Sequence, residues 1–195
     1  MTRSPQQNEA MRATTRTAVI NAALTLFAQN GYAHTTTRHI AREADISTGL
    51  LYHYFDGKEG LLQAVFTHSM ERLTATFTEA LTHASPNERL PTLLRAIFDL
   101  LHRDRDFWAL FYMLRTQPAI NRLLGDAFRL QTEQLRELFT AELRQIGRAD
   151  PMLDAYLLYS LVEGTIQQYL LTPDTYPLEA VATRIIDQFS VSDIA

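Results

Sequence analysis

The chain has 195 residues, of which 46% are hydrophobic, enough for one helical domain or two small ones. It has no cysteine, which excludes disulfides and thiolate metal sites, and its net charge of −4 argues weakly against a nucleic-acid partner. The start, MTRSPQQNEAMR, lacks an apolar signal core, and no apolar run approaches the roughly 20 residues of a bilayer span, so a soluble cytoplasmic protein is expected.

The charge is unevenly divided. Residues 1–60 carry six basic and five acidic groups, and the remainder carries twelve and seventeen. The acidity therefore lies towards the C-terminus. Arg38, Arg42 and Lys58, the only lysine, remain available for a local basic face.

Residues 1–11 are polar, contain Pro5 and have no periodicity, so a disordered tail is expected. A helix follows over 12–30, with Ile20, Ala23, Leu24, Phe27 and Ala28 as its apolar stripe and Gly31 as its stop. Thr36 is a suitable N-cap for a short helix over 37–44, whose apolar face is Ile40, Ala41 and Ala44. Asp45 tolerates the left-handed backbone of a sharp exit, and Ile46 turns towards the core. Ser47 caps a second short helix anchored by Leu51 and Phe55, four residues apart. Thr48, Gly49, Leu50, Tyr52, His53 and Tyr54 are then free of the core. Gly49 costs about 1 kcal/mol in a helix relative to Ala, which makes sense where something approaches the backbone. The spacing fits a helix-turn-helix, with an ordinary helical hairpin carrying a polar face as the alternative.

Asp56-Gly57 reads as a turn. From Lys58 a long helix carries Leu61, Leu62, Val65, Phe66, Ser69, Met70, Leu73, Phe77 and Leu81, a stripe long enough to serve two domains. After the loop at Ser85-Pro86-Asn87, helices are predicted over 88–103, 106–116 and 119–146, with breaks at Gln117-Pro118 and Gly147. The helix over 151–171 contains AYLLYSLV, apolar nearly all round, so it must be covered on every side. It is either the buried centre of a monomer or an element paired with a second copy. A last helix over 178–189 carries Val181, Ala182, Ile185, Ile186 and Phe189. The fold class is all-α, with about nine helices.

From Arg12 to about Phe66 the chain resembles the DNA-binding domain of the TetR (tetracycline-repressor-like) family. The likeness rests on Leu26-Phe27-Ala28, Gly31-Tyr32, Thr36-Thr37-Arg38, Ile40-Ala41, Ala44, Ser47, Gly49, Leu51-Tyr52, Tyr54-Phe55, Lys58-Glu59 and Leu61-Leu62. Two positions depart from the pattern: Asp45 stands where the turn usually has Gly, and Leu50 where a small residue is usual. After the tail over 1–11, the resemblance implies a helix-turn-helix domain over 12–57 and an effector-binding and dimerisation domain over 58–195. It also implies a homodimer whose last two helices form a four-helix seam, here through Leu157, Leu161, Gly164, Gln168, Val181, Ile185 and Phe189.

Within the DNA-binding segment, Arg38 suits either paired bonds to guanine or a phosphate. Thr36, Thr37, Tyr52, His53 and Lys58 suit the backbone, and Ser47 and Tyr54 complete the expected DNA-binding set; the resemblance implies phosphate contacts for Tyr52 and Lys58 in particular. Thr48 and Gly49 would face base edges. Leu50 would meet a thymine methyl or pack on Tyr54. An effector site is implied among Phe77, Phe98, His102, Trp108, Phe111, Tyr112, Arg115, Phe128, Tyr156, Tyr159 and Gln167, although each alone reads equally well as core or seam. No GxxxxGK, HExxH or GxSxG occurs, and no metal-ligand spacing or cofactor motif. The expected function is that of a regulator binding a pseudo-palindromic operator in double-stranded DNA, a repressor released by a small hydrophobic or aromatic effector. The alternatives are an apolar-ligand carrier without DNA binding and a ligand-independent regulator or activator.

Overall fold

A computed structural model describes residues 4–190. Its described elements are all helices: α1 (Pro5–Asn30), α2 (Thr37–Glu43), α3 (Thr48–Tyr54), α4 (Gly57–Thr82), α5 (Arg89–Arg103), α6 (Arg105–Arg115), α7 (Pro118–Gln145), α8 (Pro151–Leu171) and α9 (Leu178–Phe189). None of them is long and apolar enough to cross a membrane. The all-α expectation holds. The chain forms two compact units, Met1–Glu71 and Arg72–Ala195, and their boundary falls inside α4.

The expected tail over 1–11 is corrected from residue 4 onward; residues 1–3 lie outside the described residues. Ser4 is the N-cap of α1, accepting from the Gln7 amide at 3.2 Å, while the Gln7 side chain accepts from the Ser4 amide at 3.0 Å. This reciprocal pair satisfies two of the donors a helix start leaves open, and a proline at the first turn costs no hydrogen bond. Local capping thus lengthens α1 where no apolar stripe exists to announce a helix. Further on, Val19, Ile20, Ala23 and Phe27 are buried. At its end the buried Thr35 hydroxyl reaches the Leu26 and Gly31 carbonyls at 3.0 and 2.9 Å.

In the second unit, α5 lies against α9, and α7 pairs with α8. Leu90, Leu93, Leu94, Ile97, Phe98 and Leu101 of α5 are all buried. The guanidinium of Arg89 holds the buried carboxylate of Glu142 through Nε and Nη2 at 3.0–3.1 Å and the Leu81 carbonyl through Nη1 at 3.3 Å. One side chain therefore joins the end of α4, the start of α5 and the body of α7.

The surface of α8 divides in two. Ala155, Leu158, Val162, Ile166 and Tyr169 face inward, whereas Leu153, Leu157 and Leu161 are exposed at 56%, 52% and 39%. Gly164 and Gln168 continue that exposed row. On α9 the expected seam is corrected. Ile185 and Phe189 are buried in the subunit's own core and Val181 is half-buried, because α9 spends its apolar stripe on α5 and α8. The exposed face of α9 is instead Glu179, Ala180, Thr183, Arg184, Asp187 and Gln188.

Candidate nucleic-acid interface and buried polar cluster

The geometry of the first unit follows from two caps and one turn. The Thr36 hydroxyl accepts from the His39 amide at 3.2 Å and the Ser47 hydroxyl from the Leu50 amide at 3.1 Å, so each opens its helix. Between them Asp45 takes φ = 53°, with Asp45 N–H donating to Arg42 O at 3.2 Å and Ile46 N–H to Ala41 O at 2.9 Å. These two bonds form the Schellman closure that ends a helix in a left-handed residue. Leu51 is fully buried and Phe55 nearly so. Full burial of a leucine is worth roughly 1.5–3 kcal/mol and fixes the rotation of α3.

That rotation sets the outward face. Gly49, Leu50, Tyr52 and His53 are exposed, as are Thr36, Arg38 and Ser47; Thr37, Thr48 and Tyr54 are half-buried. The Tyr52 hydroxyl meets the Thr37 hydroxyl at 3.1 Å and so ties α3 to the first turn of α2. A methyl group built on Gly49 would meet only the Ser47 hydroxyl, at 4.0 Å. The unit's own packing therefore does not demand glycine there.

Lys58 is half-buried, and its ammonium donates to the Ala33 carbonyl at 3.2 Å while lying 4.3 Å from the centre of the Tyr32 ring. Burial lowers its pKa. The carbonyl uses one of three ammonium donors. Tyr32 in turn packs on Phe27, with ring centres 5.2 Å apart. Arg12 was not singled out as a site residue from sequence. It sits on α1 and donates to His53 Nε2 at 2.8 Å, which places the neutral ring's proton on Nδ1. Forty-one residues separate the two, and no local pattern signals such a contact.

In the second unit the expected effector residues separate into groups. Trp108, Phe111, Tyr112 and Arg115 on α6, Phe128 on α7 and Tyr159 on α8 come together. Phe111 and Phe128 meet edge to face at 5.3 Å, and Trp108 lies 6.5 Å from Tyr112. Arg115 donates to both oxygens of Glu163 at 3.0 and 3.1 Å and lies over the Phe111 and Tyr112 rings at 5.3 and 5.7 Å. The Tyr159 hydroxyl donates to Glu163 at 2.7 Å and meets the Thr132 hydroxyl at 3.1 Å. Burial, with Glu163 adding to it, pushes the Tyr159 phenol up to about 12 and that of Tyr112 further still. Trp108 Nε1 and Gln131 Oε1 are buried and have no hydrogen-bond partner among the described residues, whereas the Tyr112 phenol interacts with the Glu163 carboxylate. Glu163, Thr132 and Gln131 were absent from the sequence expectation, because polar residues on a helix do not declare which face they occupy.

Other expected lining residues lie elsewhere. Tyr156 and Gln167 are on the exposed face of α8, and the Arg136 guanidinium covers the Tyr156 ring at 4.4 Å. Their side of α8 is the one opposite the core, which corrects their assignment to a pocket. His102 is exposed and meets the Tyr169 hydroxyl through Nδ1 at 3.2 Å. Phe98 is buried in the α5 core and Phe77 is half-buried on α4.

Comparison with known proteins agrees with this architecture. Residues 19–65 match the family model described as bacterial regulatory proteins, tetR family, and residues 86–190 match the BetI-type transcriptional repressor C-terminal model. The HTH-type transcriptional regulator BetI of Paraburkholderia phymatum is 30% identical over 186 residues, 92% of each chain. The regulator UidR of Escherichia coli is 42% identical over 65 residues, 33% of each chain. A TetR transcription regulator from Haloarcula marismortui has the same fold, with a TM-score of 0.81 at 21% identity, over 91% of this chain and 97% of that one. An exposed helix-turn-helix capped at Thr36 and Ser47, followed by a bundle matched along most of its length, makes this chain a member of the TetR family of DNA-binding, ligand-responsive transcriptional regulators.

Proposed function

We propose that this protein is a homodimeric cytoplasmic repressor. It reads a pseudo-palindromic operator through Thr36, Thr37, Arg38, Ser47, Thr48, Gly49, Leu50, Tyr52, His53, Tyr54 and Lys58, and leaves it when a small effector binds among α6, α7 and α8. The observation that carries the reading is the contrast at α3: Leu51 is fully buried, while Leu50 and Tyr52 on either side are 38% and 55% exposed. A seven-residue helix that anchors one side and presents glycine, hydroxyl and apolar groups on the other suits a major groove. Arg38 and Arg42 supply positive charge beside it. Arg12, held against His53, adds a cation from α1.

Dimerisation is supported by the exposed row Leu153, Leu157 and Leu161 with Gly164, an apolar stripe of a kind that monomers seldom leave open. Two such stripes across a two-fold axis would cover one another. Because α4 continues from one unit into the other, it offers a route by which effector binding biases the head.

The test is fluorescence anisotropy with duplex DNA from upstream of the coding sequence, across a salt series. Affinity should fall steeply as salt rises, and Lys58→Ala should reduce the slope by about 1, one phosphate contact's worth. Absence of binding even at low salt overturns the DNA reading; an unchanged slope removes Lys58 from the interface.

A further inference from the structure

Resting on the assignment of His53 to the operator interface above, we propose that Arg12 is a positioning residue for operator binding. It holds the His53 imidazole as the Nδ1–H tautomer, whose N–H donates to a phosphate oxygen of the DNA backbone. Arg12 Nη2 lies 2.8 Å from His53 Nε2. A guanidinium only donates, so Nε2 accepts, and the proton of the neutral ring then sits on Nδ1. His53 is exposed on the outward face of α3, and Arg12 occupies only one of its two ring nitrogens.

The arrangement is built by α1. The capping box at Ser4 starts that helix well ahead of Val19, the first of its described residues to be buried. Arg12 therefore sits within regular helix although no core holds it there. Arg16, four residues on and so on the same face, lies over the Phe55 ring at 5.4 Å. Two arginines of α1 thus meet the end of α3. The His53 ring also meets the Tyr54 ring edge to face, with centres 5.7 Å apart. The imidazole is held at two points before DNA arrives.

Stability does not account for the pair. Arg12 and His53 are both exposed, where the entropy of ordering a long arginine offsets most of such a bond. On the operator the same ordering has a use. A histidine that carries its proton on Nε2, or turns its ring away, offers no donor at the Nδ1 position. The apparent Kd rises in proportion as the competent form becomes rare. Arg12 keeps that form populated. A bare cation would serve the phosphates without touching His53, so the two roles of Arg12 differ in what they predict for the imidazole.

Asparagine places an N–H where Nδ1–H stands, and glutamine places one where Nε2–H would stand, so the two amides tell the tautomers apart. In the anisotropy assay with the upstream duplex, His53→Asn should bind within about twofold of the unmodified protein, and His53→Gln should lose roughly five- to tenfold, the worth of one neutral hydrogen bond. Arg12→Ala should lose roughly fivefold more in the parent protein than in the His53→Asn background, where no tautomer needs holding. The same substitution should leave the urea midpoint unchanged. Nitrogen NMR of the free full-length protein should show His53 protonated on Nδ1, moving to Nε2 in Arg12→Ala. If His53→Asn fails to fold, the NMR comparison decides alone. Equal losses from Arg12→Ala in both backgrounds leave Arg12 as a cation only and overturn the proposal. So does a glutamine variant that binds as well as the asparagine one, and so does Nε2 protonation in the free parent protein. Absence of operator binding by the parent protein sinks the DNA reading itself, whereas binding with the wrong pattern among these variants sinks only the role of Arg12.

Discussion

The head and the bundle hold their polar groups in different ways. In the head, Thr36 caps through a bond three residues long, Ser47 does the same, and Asp45 closes its turn with bonds to residues within five positions. In the bundle, Arg89 reaches Glu142 across 53 residues, Arg115 reaches Glu163 across 48, and His102 reaches Tyr169 across 67. The head's caps and turn are local chemistry that each short segment can satisfy by itself, although Arg12–His53 and Lys58–Ala33 also span it. These three bundle pairs form only once the unit is assembled, and removing Arg89 strands Glu142, 3% exposed, in a poorly hydrated place.

That difference predicts the largest effect. Arg89→Met leaves the Glu142 carboxylate, 3% exposed, without a cation, and leaves the Leu81 carbonyl short of a donor. A cost of about 3 kcal/mol or more is expected, read from urea denaturation. The control is Arg129, whose partners Asp126 and Glu133 are local and whose side chain is 63% exposed. Arg129→Met should cost about 0–1 kcal/mol. Equal costs in the two variants would remove the distinction between long-range and local pairs.

A sharper comparison sets stability against binding within the head. Gly49→Ala places a methyl group 4.0 Å from its nearest neighbour, the Ser47 hydroxyl, and improves a helical position. The free protein should gain up to about 1 kcal/mol. If Gly49 lies against base edges, the same methyl should cut operator affinity at least tenfold, or about 1.4 kcal/mol, in the anisotropy assay. A variant that is both more stable and binds normally would show that nothing approaches the backbone at residue 49.

The two regions also differed in how readily the sequence could be read. Thr36, Asp45 and Ser47 are legible in the sequence because caps and turns depend on residue types a few positions apart. The same logic was available at Ser4, where Gln7 completes the capping box, but the polar composition of residues 1–11 outweighed it. Helix boundaries in the bundle came within one residue, since proline and glycine punctuate them. Which face of a helix points where was not legible. On α9 the stripe of Ile185 and Phe189 marks an apolar face, but periodicity does not say whether the subunit or a second copy covers it. On α8, apolar nearly all round, it separated Leu157 from Leu158 no better. For Lys58 the resemblance implies a phosphate contact, and no local pattern signals that Tyr32 and the Ala33 carbonyl, 25 residues away, also hold its ammonium.

The smallest predicted effect tests the head's local chemistry at its least comfortable point. Asp45 is the only non-glycine residue with a positive φ among the described residues. A side chain at φ = 53° crowds its own carbonyl, a cost that aspartate bears better than most residues but does not escape. Asp45→Gly removes that crowding and keeps both closing bonds, since they use backbone amides alone. Against this, glycine makes the unfolded chain more flexible, which cancels part of the gain. The net stabilisation should lie below about 1 kcal/mol, seen as a small rise in the urea midpoint with an unchanged slope. Asp45→Val should fall the other way by more, because a β-branched residue fits the left-handed region worst. If Asp45→Gly instead destabilises the head, the carboxylate contributes something beyond tolerance of the turn, and Asp45 then belongs with the bundle's partnered groups and not with the head's local ones.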